Sequence, residues 1–484
     1  MRRAWILIML AALAALVACS HSKDILPEDD SLYAPGKIVV KVTEEFADAL
    51  ESHTGSSGRV AVAAVDELRK ADKRLNIKRM KRVFAPAGEF EDRTRLEGLH
   101  LWYQIDFDEN CPTSVAKSFL EKYPGITLVE CDPIRRLDVD VTYADLVPGA
   151  SSGGPFDDPL YYRQWHYCND GSREGAEAGC DINVVPAWSS GCIGSPEVIV
   201  CVVDGGVDYN HEDLAGNIWY DSEGHCGYNF YSDSYDITPD SHATHVAGTV
   251  AAVNNNGIGV CGIAGGDFAR GLPGVKIMSC QIFTGNESAG NPAAAIKWGA
   301  DHGAVISQNS WGYPDLDATP ESVKAAVDYF VKYAGLDADG HQIGPMAGGL
   351  VVFAAGNERR EASSSSYDGI LTVTSLGAGY RKASYSNWGS FADLAAPGGD
   401  APNRVLSTLP DNKYGWMNGT SMACPHVSGV AALVVSACGG PGFTSADLRR
   451  RLETTARPLG AAAAADGYYL GHGLVDATAA CGSL

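Results

Sequence analysis

EVIVCVVDGG, residues 197–206, is the run that decides how this chain is read. It is apolar without alternation, and it ends in Asp204 and a glycine turn. A strand with one wet face alternates polar and apolar residues; a strand covered on both faces does not. Four later runs share its character: VKIMSCQIF (275–283), AVISQNSW (304–311), GLVVFAAGN (349–357) and ILTVTSL (370–376). Helical stretches separate them, among them HVAGTVAAV (245–253), NPAAAIKWGADHG (291–303) and PESVKAAVDYFVKYAG (320–335). Doubly buried strands interleaved with helices predict an α/β domain built on a parallel sheet flanked by helices. Chemistry in such sheets gathers at the carboxyl ends of the strands. Asp204 and Asn357 end two of them.

Upstream the grammar differs. GKIVVKV (36–42), IKRMKRVF (77–84), LHLWYQIDF (99–107) and ITLVECDPIRRLDV (126–139) read as strands. EEFADALESH (44–53), VAAVDELRKADKRL (62–75) and PTSVAKSFLEKY (112–123) read as helices. The order β-α-β-β-α-β predicts a small α+β ferredoxin-like domain. DLVPGASSGGPFDD (145–158), rich in Gly, Ser, Pro and Asp, is the clearest linker. The expected division is 1–19 leader, 20–33 tether, 34–140 small domain, 141–155 linker and 156–484 main body.

The leader has Arg2 and Arg3 before an apolar run, Ala4 to Ala18, closing on Leu16-Val17-Ala18-Cys19. That is an export signal too short to span a membrane. Its ending resembles a bacterial lipoprotein signal, which implies lipidation of Cys19, attachment to membrane lipid and a place in the cell envelope, the outer membrane being the expected site. The other twelve of the 13 cysteines then lie in a compartment that permits disulfides. Cys168 and Cys180 flank a polar loop they could close, and Cys201 and Cys280 sit in apolar runs that suit buried thiols. A net charge of −22 argues against a nucleic-acid partner, which needs a basic face.

Ser421 stands in MNGTSMACPHVSGVAALV (417–434), between small residues at the start of a helical run. Alone it reads as a cap; beside free N–H groups and the positive helix end it also suits a nucleophile whose substrate develops an oxyanion. His242 lies in DSHATHVAGTVAAVNNNGIGV (240–260). The order Asp204, His242, Ser421 is one of the known triad orders. With VVFAAGNE (351–358) and ASYSNWGSFADLAAPG (383–398), five motifs in sequence resemble the subtilase family of serine endopeptidases.

That resemblance covers roughly residues 156–480 and implies a subtilisin-like fold, protein or peptide substrates and no cofactor for the chemistry. It implies Ser421 as nucleophile, His242 as general base, Asp204 as its orienting partner and Asn357 as oxyanion donor. It implies walls of the specificity pocket from Ser310, Trp311, Gly312, Ala354, Ala355 and Gly356, with Glu358 at the mouth and a preference for large apolar residues. It makes 34–140 an inhibitory propeptide, the chain's own partner, removed by a cut within 138–156 that separates the body from Cys19, so that the lipid anchors the uncut chain. Asp213, Asn255, Ile258 and Val260 resemble a calcium loop. Ala243 departs from the family's glycine, and Cys424 from its usual serine. Two other classes compete: a metal-dependent hydrolase using His242, His245, His211 and Asp204, and a silent binding module.

Overall fold

The computed structural model describes residues 30–135, 137, 140–144, 154–285, 287–288, 290–459 and 467–482. The leader, Cys19, the start of the tether and the linker residues 145–153 lie outside the described residues. The chain separates into two compact units: residues up to Pro86 with His100–Ile134, and Ala87–Leu99 with Arg135 onward.

The first unit contains β1 (Tyr33–Val42), α1 (Glu44–Glu51), α2 (Arg69–Leu75) and β2 (Arg79–Arg82). The next helix along the chain, α3 (Glu91–Leu96), belongs to the second unit. The first unit resumes with β3 (Trp102–Asp106), α4 (Thr113–Leu120) and β4 (Ile126–Pro133). Its strands lie in the order β2-β3-β1-β4, each pair antiparallel, as the β-α-β-β-α-β pattern predicts. Ile38, Val40, Tyr103 and Ile105 fill its core. The continuous helix expected at 62–75 is broken: Val62–Ala64 and Asp66–Leu68 are single 3-10 turns, and α2 starts only at Arg69. Val65, extended between the turns, is buried in the core with Leu68. Burying both side chains outweighs the weak helix preference of a β-branched residue.

In the second unit β5 (Thr142–Tyr143) is followed by β6 (Ile199–Asp204), β7 (Gly227–Asn229), α5 (Ser241–Ala251), β8 (Lys276–Gln281) and α6 (Pro292–Asp301). Then come β9 (Ile306–Asn309), α7 (Glu321–Tyr333), β10 (Leu350–Ala354), β11 (Ile370–Leu376) and β12 (Leu394–Pro397). The order β12-β11-β10-β9-β6-β8-β7 is parallel throughout. β6 has β8 on one side and β9 on the other, so the chain reverses its winding there. A crevice opens at such a point beyond the carboxyl end of the strand, which here is Asp204. Val200, Val202 and Val203 are fully buried; each contributes about 1.5–3 kcal/mol of transfer energy.

A hairpin of β13 (Val405–Leu409) and β14 (Lys413–Met417) leads into α8 (Thr420–Cys438). Among the described residues α8 is the one helix long and apolar enough to cross a membrane, but it is the core helix: nearly all of it is buried. The ten described cysteines from Cys168 onward are free thiols. Cys180 accepts from the Tyr380 N–H at 3.1 Å and donates to the Gly377 carbonyl at 3.3 Å, whereas Cys168 is exposed, so the loop between them is not closed by a bond.

Candidate active site

Asp204 and His242 come from separate elements and meet. Asp204 ends β6; His242 is the second residue of α5, whose N-cap, Asp240, accepts from the His242 and Ala243 N–H groups. His242 Nδ1 lies 2.9 and 3.0 Å from the two carboxylate oxygens, and both side chains have no exposed surface. The Gly205 N–H donates to Asp204 Oδ1 at 2.7 Å. This arrangement fixes the imidazole with its proton on Nδ1, leaving Nε2 as the basic nitrogen. The turn after Asp204 must be glycine: a Cβ on Gly206 would stand 2.0 Å from the Thr238 carbonyl oxygen. Ala243, where a glycine was expected, is accommodated with no exposure and without disturbing the helix start.

Ser421 is the second residue of α8, and Gly419 before it has φ 155°, open to glycine alone. Its hydroxyl donates to the Ser310 carbonyl at 2.9 Å. α5 packs along α8. Asn357, just past β10, accepts through Oδ1 from the Thr420 N–H at 3.0 Å and its hydroxyl at 2.9 Å. A backbone N–H can only donate, so the atom it meets is oxygen, and Nδ2 remains as the amide's donor.

A cavity of about 280 Å³ adjoins Ser421 and Asn357. Ser310, Trp311, Gly312, Ala354 and Gly356 line it. Ala355 does not: its carbonyl accepts from Asn387 Nδ2 at 3.1 Å, because successive residues leaving a strand point to opposite sides. Glu358 is at the wall, its carboxylate held by Asn387 Nδ2 at 2.5 Å. Sequence reasoning missed Tyr313, Ser364 and Leu137, which also line the cavity.

Described residues on either side of Leu137 also make contacts within the second unit. Arg135 donates to the Gly290 carbonyl at 3.3 Å and stacks 5.7 Å from the Tyr313 ring. Leu137 is 7% exposed and lines the cavity. Asp140 pairs with Arg404 at 2.7 Å, and Thr142 and Tyr143 pair antiparallel with β14 at Trp416 and Gly415.

Four other histidines, His166, His211, His245 and His426, are buried and take no part in the cavity. His245 Nε2 faces the Val405 and Gly415 carbonyls at 3.1 and 3.2 Å, and burial pushes its pKa down to about 3. His426 Nδ1 donates to the Met422 carbonyl at 2.7 Å, so Nε2 accepts from His166 Nδ1 at 2.8 Å. Burial lowers His426 to about 4 and His166 well below its ordinary value. His211 Nε2 meets the Lys413 carbonyl at 3.1 Å. The metal-hydrolase set therefore does not converge, and among the described residues no group of three His, Cys, Asp or Glu is placed to hold a metal ion. Cys424 lies against Gln308 and Asn309, its thiol pushed up to about 12 by burial.

The residues of the expected calcium loop are joined to their neighbours by hydrogen bonds. Asp213, fully buried, accepts from Asn256 Nδ2 at 2.8 Å and the Val260 N–H at 2.9 Å. Asn255 Oδ1 accepts from the Asp157 N–H at 3.3 Å while its amide donates to Asp267 at 2.7 Å. The Ile258 N–H turns onto Asn256 Oδ1.

The family model described as the subtilase family matches residues 195–473. A thermophilic serine proteinase of a Bacillus species is 33% identical over 288 residues, 58% of this chain and 61% of that protein's length. Subtilisin of Bacillus pumilus is 36% identical over 301 residues, 60% of this chain and 93% of that protein. The crystal structure of fervidolysin from Fervidobacterium pennivorans, a keratinolytic enzyme related to subtilisin, superposes with a TM-score of 0.62 at 24% identity, covering 93% of this chain and 62% of that one.

Proposed function

This chain belongs to the subtilase family of serine endopeptidases, and from that premise we propose that it is a self-processing precursor cut next to Leu137. Ser421 attacks the scissile carbonyl after its hydroxyl turns from Ser310 toward His242 Nε2. His242 takes the proton and returns it to the leaving amine, while Asp204 stabilises the imidazolium. Asn357 Nδ2 and the N–H groups at the start of α8 receive the oxyanion, helped by the positive helix end.

The observation that carries this reading is Leu137 lining the cavity together with Ser421 and Asn357. A leucine side chain at the wall of that space, beside Ser421, marks the residue before the scissile bond, and the Leu137–Asp138 bond as the maturation site, at the near edge of the 138–156 stretch expected from sequence. Residues 34–137 then form the inhibitory propeptide, and β5 stays on β14 as the new N-terminal strand. The same pocket favours large apolar residues in protein substrates. The leader supports export, with Cys19 lipidated and holding the precursor on the envelope until the cut releases the body.

The test is N-terminal sequencing of the wild-type body beside Ser421→Ala. A body beginning at Asp138, absent from the Ser421→Ala sample, supports the reading. A body beginning elsewhere removes the role given to Leu137, and an intact wild-type chain removes self-processing altogether.

A further inference from the structure

The segment 87–99 falls within the proposed propeptide by sequence yet belongs to the second unit by its contacts. The reason is one side chain. Arg93 lies 5% exposed at the carboxyl ends of α6 and α7. Its Nη2 meets Asp301 Oδ1 at 2.9 Å, its Nε donates to the Tyr329 hydroxyl at 2.6 Å, and its Nη1 donates to the Leu336 and Asp337 carbonyls, each at 3.1 Å. Phe90 from the same segment covers the guanidinium plane at 3.8 Å.

Everything the guanidinium touches except Phe90 belongs to α6, α7 and the loop after α7. The pocket is also complete without its occupant. Asp301 keeps Lys297 Nζ at 2.5 Å and the Tyr329 hydroxyl at 2.6 Å, so its buried charge stays paired when Arg93 leaves. A planar fork reaching a carboxylate, a phenol oxygen and two carbonyls is a pattern that arginine satisfies and lysine does not. The helix carboxyl ends add attraction for a cation.

We propose that the Asp301–Tyr329–Leu336–Asp337 pocket is an arginine-recognition exosite: Arg93 fills it in the precursor, keeps the propeptide bound after the cut, and yields it to an arginine side chain of a protein substrate. This rests on the propeptide reading above. Removing one partner of a buried, hydrogen-bonded charge pair acts on the dissociation rate, here about thirtyfold or more. Glu97, clamped by Lys332 at 2.7 Å and Tyr333 at 2.6 Å, is more exposed and contributes less.

The experiment follows the full chain as wild type, Arg93→Lys, Arg93→Ala and Asp301→Asn. Denaturing gels read the cut, gel filtration reads propeptide retention, and fluorophosphonate labelling reads the opening of the site. All four are expected to be cut. Arg93→Ala and Asp301→Asn then lose the propeptide and label about thirtyfold faster than wild type, with Arg93→Lys between. Millimolar arginine amide speeds labelling of cut wild type, lysine amide does not, and Asp301→Asn responds to neither. This arm needs no variant at Arg93 to fold. Equal labelling of wild type and Arg93→Ala, or equal effects of the two amides, overturns the exosite. A wild-type chain that is never cut overturns the propeptide reading and the exosite with it.

Discussion

Ser310 and Ser421 exchange hydrogen bonds: the Ser310 hydroxyl donates to the Ser421 carbonyl at 2.7 Å, and the Ser421 hydroxyl donates to the Ser310 carbonyl at 2.9 Å. The first bond fills a gap made by sequence. Pro425, four residues after Ser421 within α8, has no N–H to give that carbonyl. Ser310, just past β9, supplies the missing donor and ties the Ser421 backbone to the sheet.

Ser310→Ala should leave the Ser421 carbonyl buried and unsatisfied, at a cost of about 1–3 kcal/mol. Denaturant unfolding in a Ser421→Ala background, where no self-digestion interferes, measures it. An unchanged unfolding midpoint would mean that Ser310 does not support the turn.

Asp204→Asn should lower kcat by about 10⁴ while the protein stays folded, because an amide here favours the wrong imidazole tautomer. Asn357→Ala should lower kcat by about 10²–10³ with little change in KM. Steady-state kinetics on a peptide substrate separate the two. A loss confined to KM in Asn357→Ala would argue for a role in ground-state binding instead.

The pairing of His166 with His426, and the burial of His245, make the body acid-sensitive. Their folded-state pKa values lie below the ordinary 6.5, so the stability they carry is complete above about pH 6.5 and is lost as pH falls toward about 4 for His426 and about 3 for His245. Asp158 acts in the opposite sense: burial raises it to about 6, so its cost is felt above that pH and is gone near pH 4. Imidazole nitrogen NMR of the folded Ser421→Ala protein at pH 5 reads the histidines directly. The three rings should be neutral there; an imidazolium signal from any of them would contradict the burial argument.

Leu137→Asp should block maturation by placing a charge in a cavity walled by Trp311, Gly312 and Ala354. Leu137→Met should mature normally, since it conserves volume and polarity. Time courses on denaturing gels compare them, and equal rates would show that the cavity does not read this side chain.

The parallel sheet was legible because its strands lack alternation, and the first unit because its strands carry it. Asp204 and His242 were legible from the turn and helix start around them. The rest was hidden for identifiable reasons. Val65 breaks a helical pattern through tertiary burial, which no local preference reports. Ala355 looked like a wall residue because the motif is read as a string, while the backbone turns its carbonyl to Asn387. Ser310's second role had one sequence signal, Pro425 four residues after Ser421. Arg93 had none: EDRTRL is mostly charged, and only the assembled unit shows its guanidinium buried.

The central claim is that Ser421 is a nucleophile activated in a preformed site. Mass spectrometry of the body after fluorophosphonate treatment tests it most directly. One adduct per chain, located on Ser421, lost in Ser421→Ala and strongly slowed in Asp204→Asn, is the predicted result. A folded, propeptide-free body that takes no adduct, or takes it on another residue, would contradict the account.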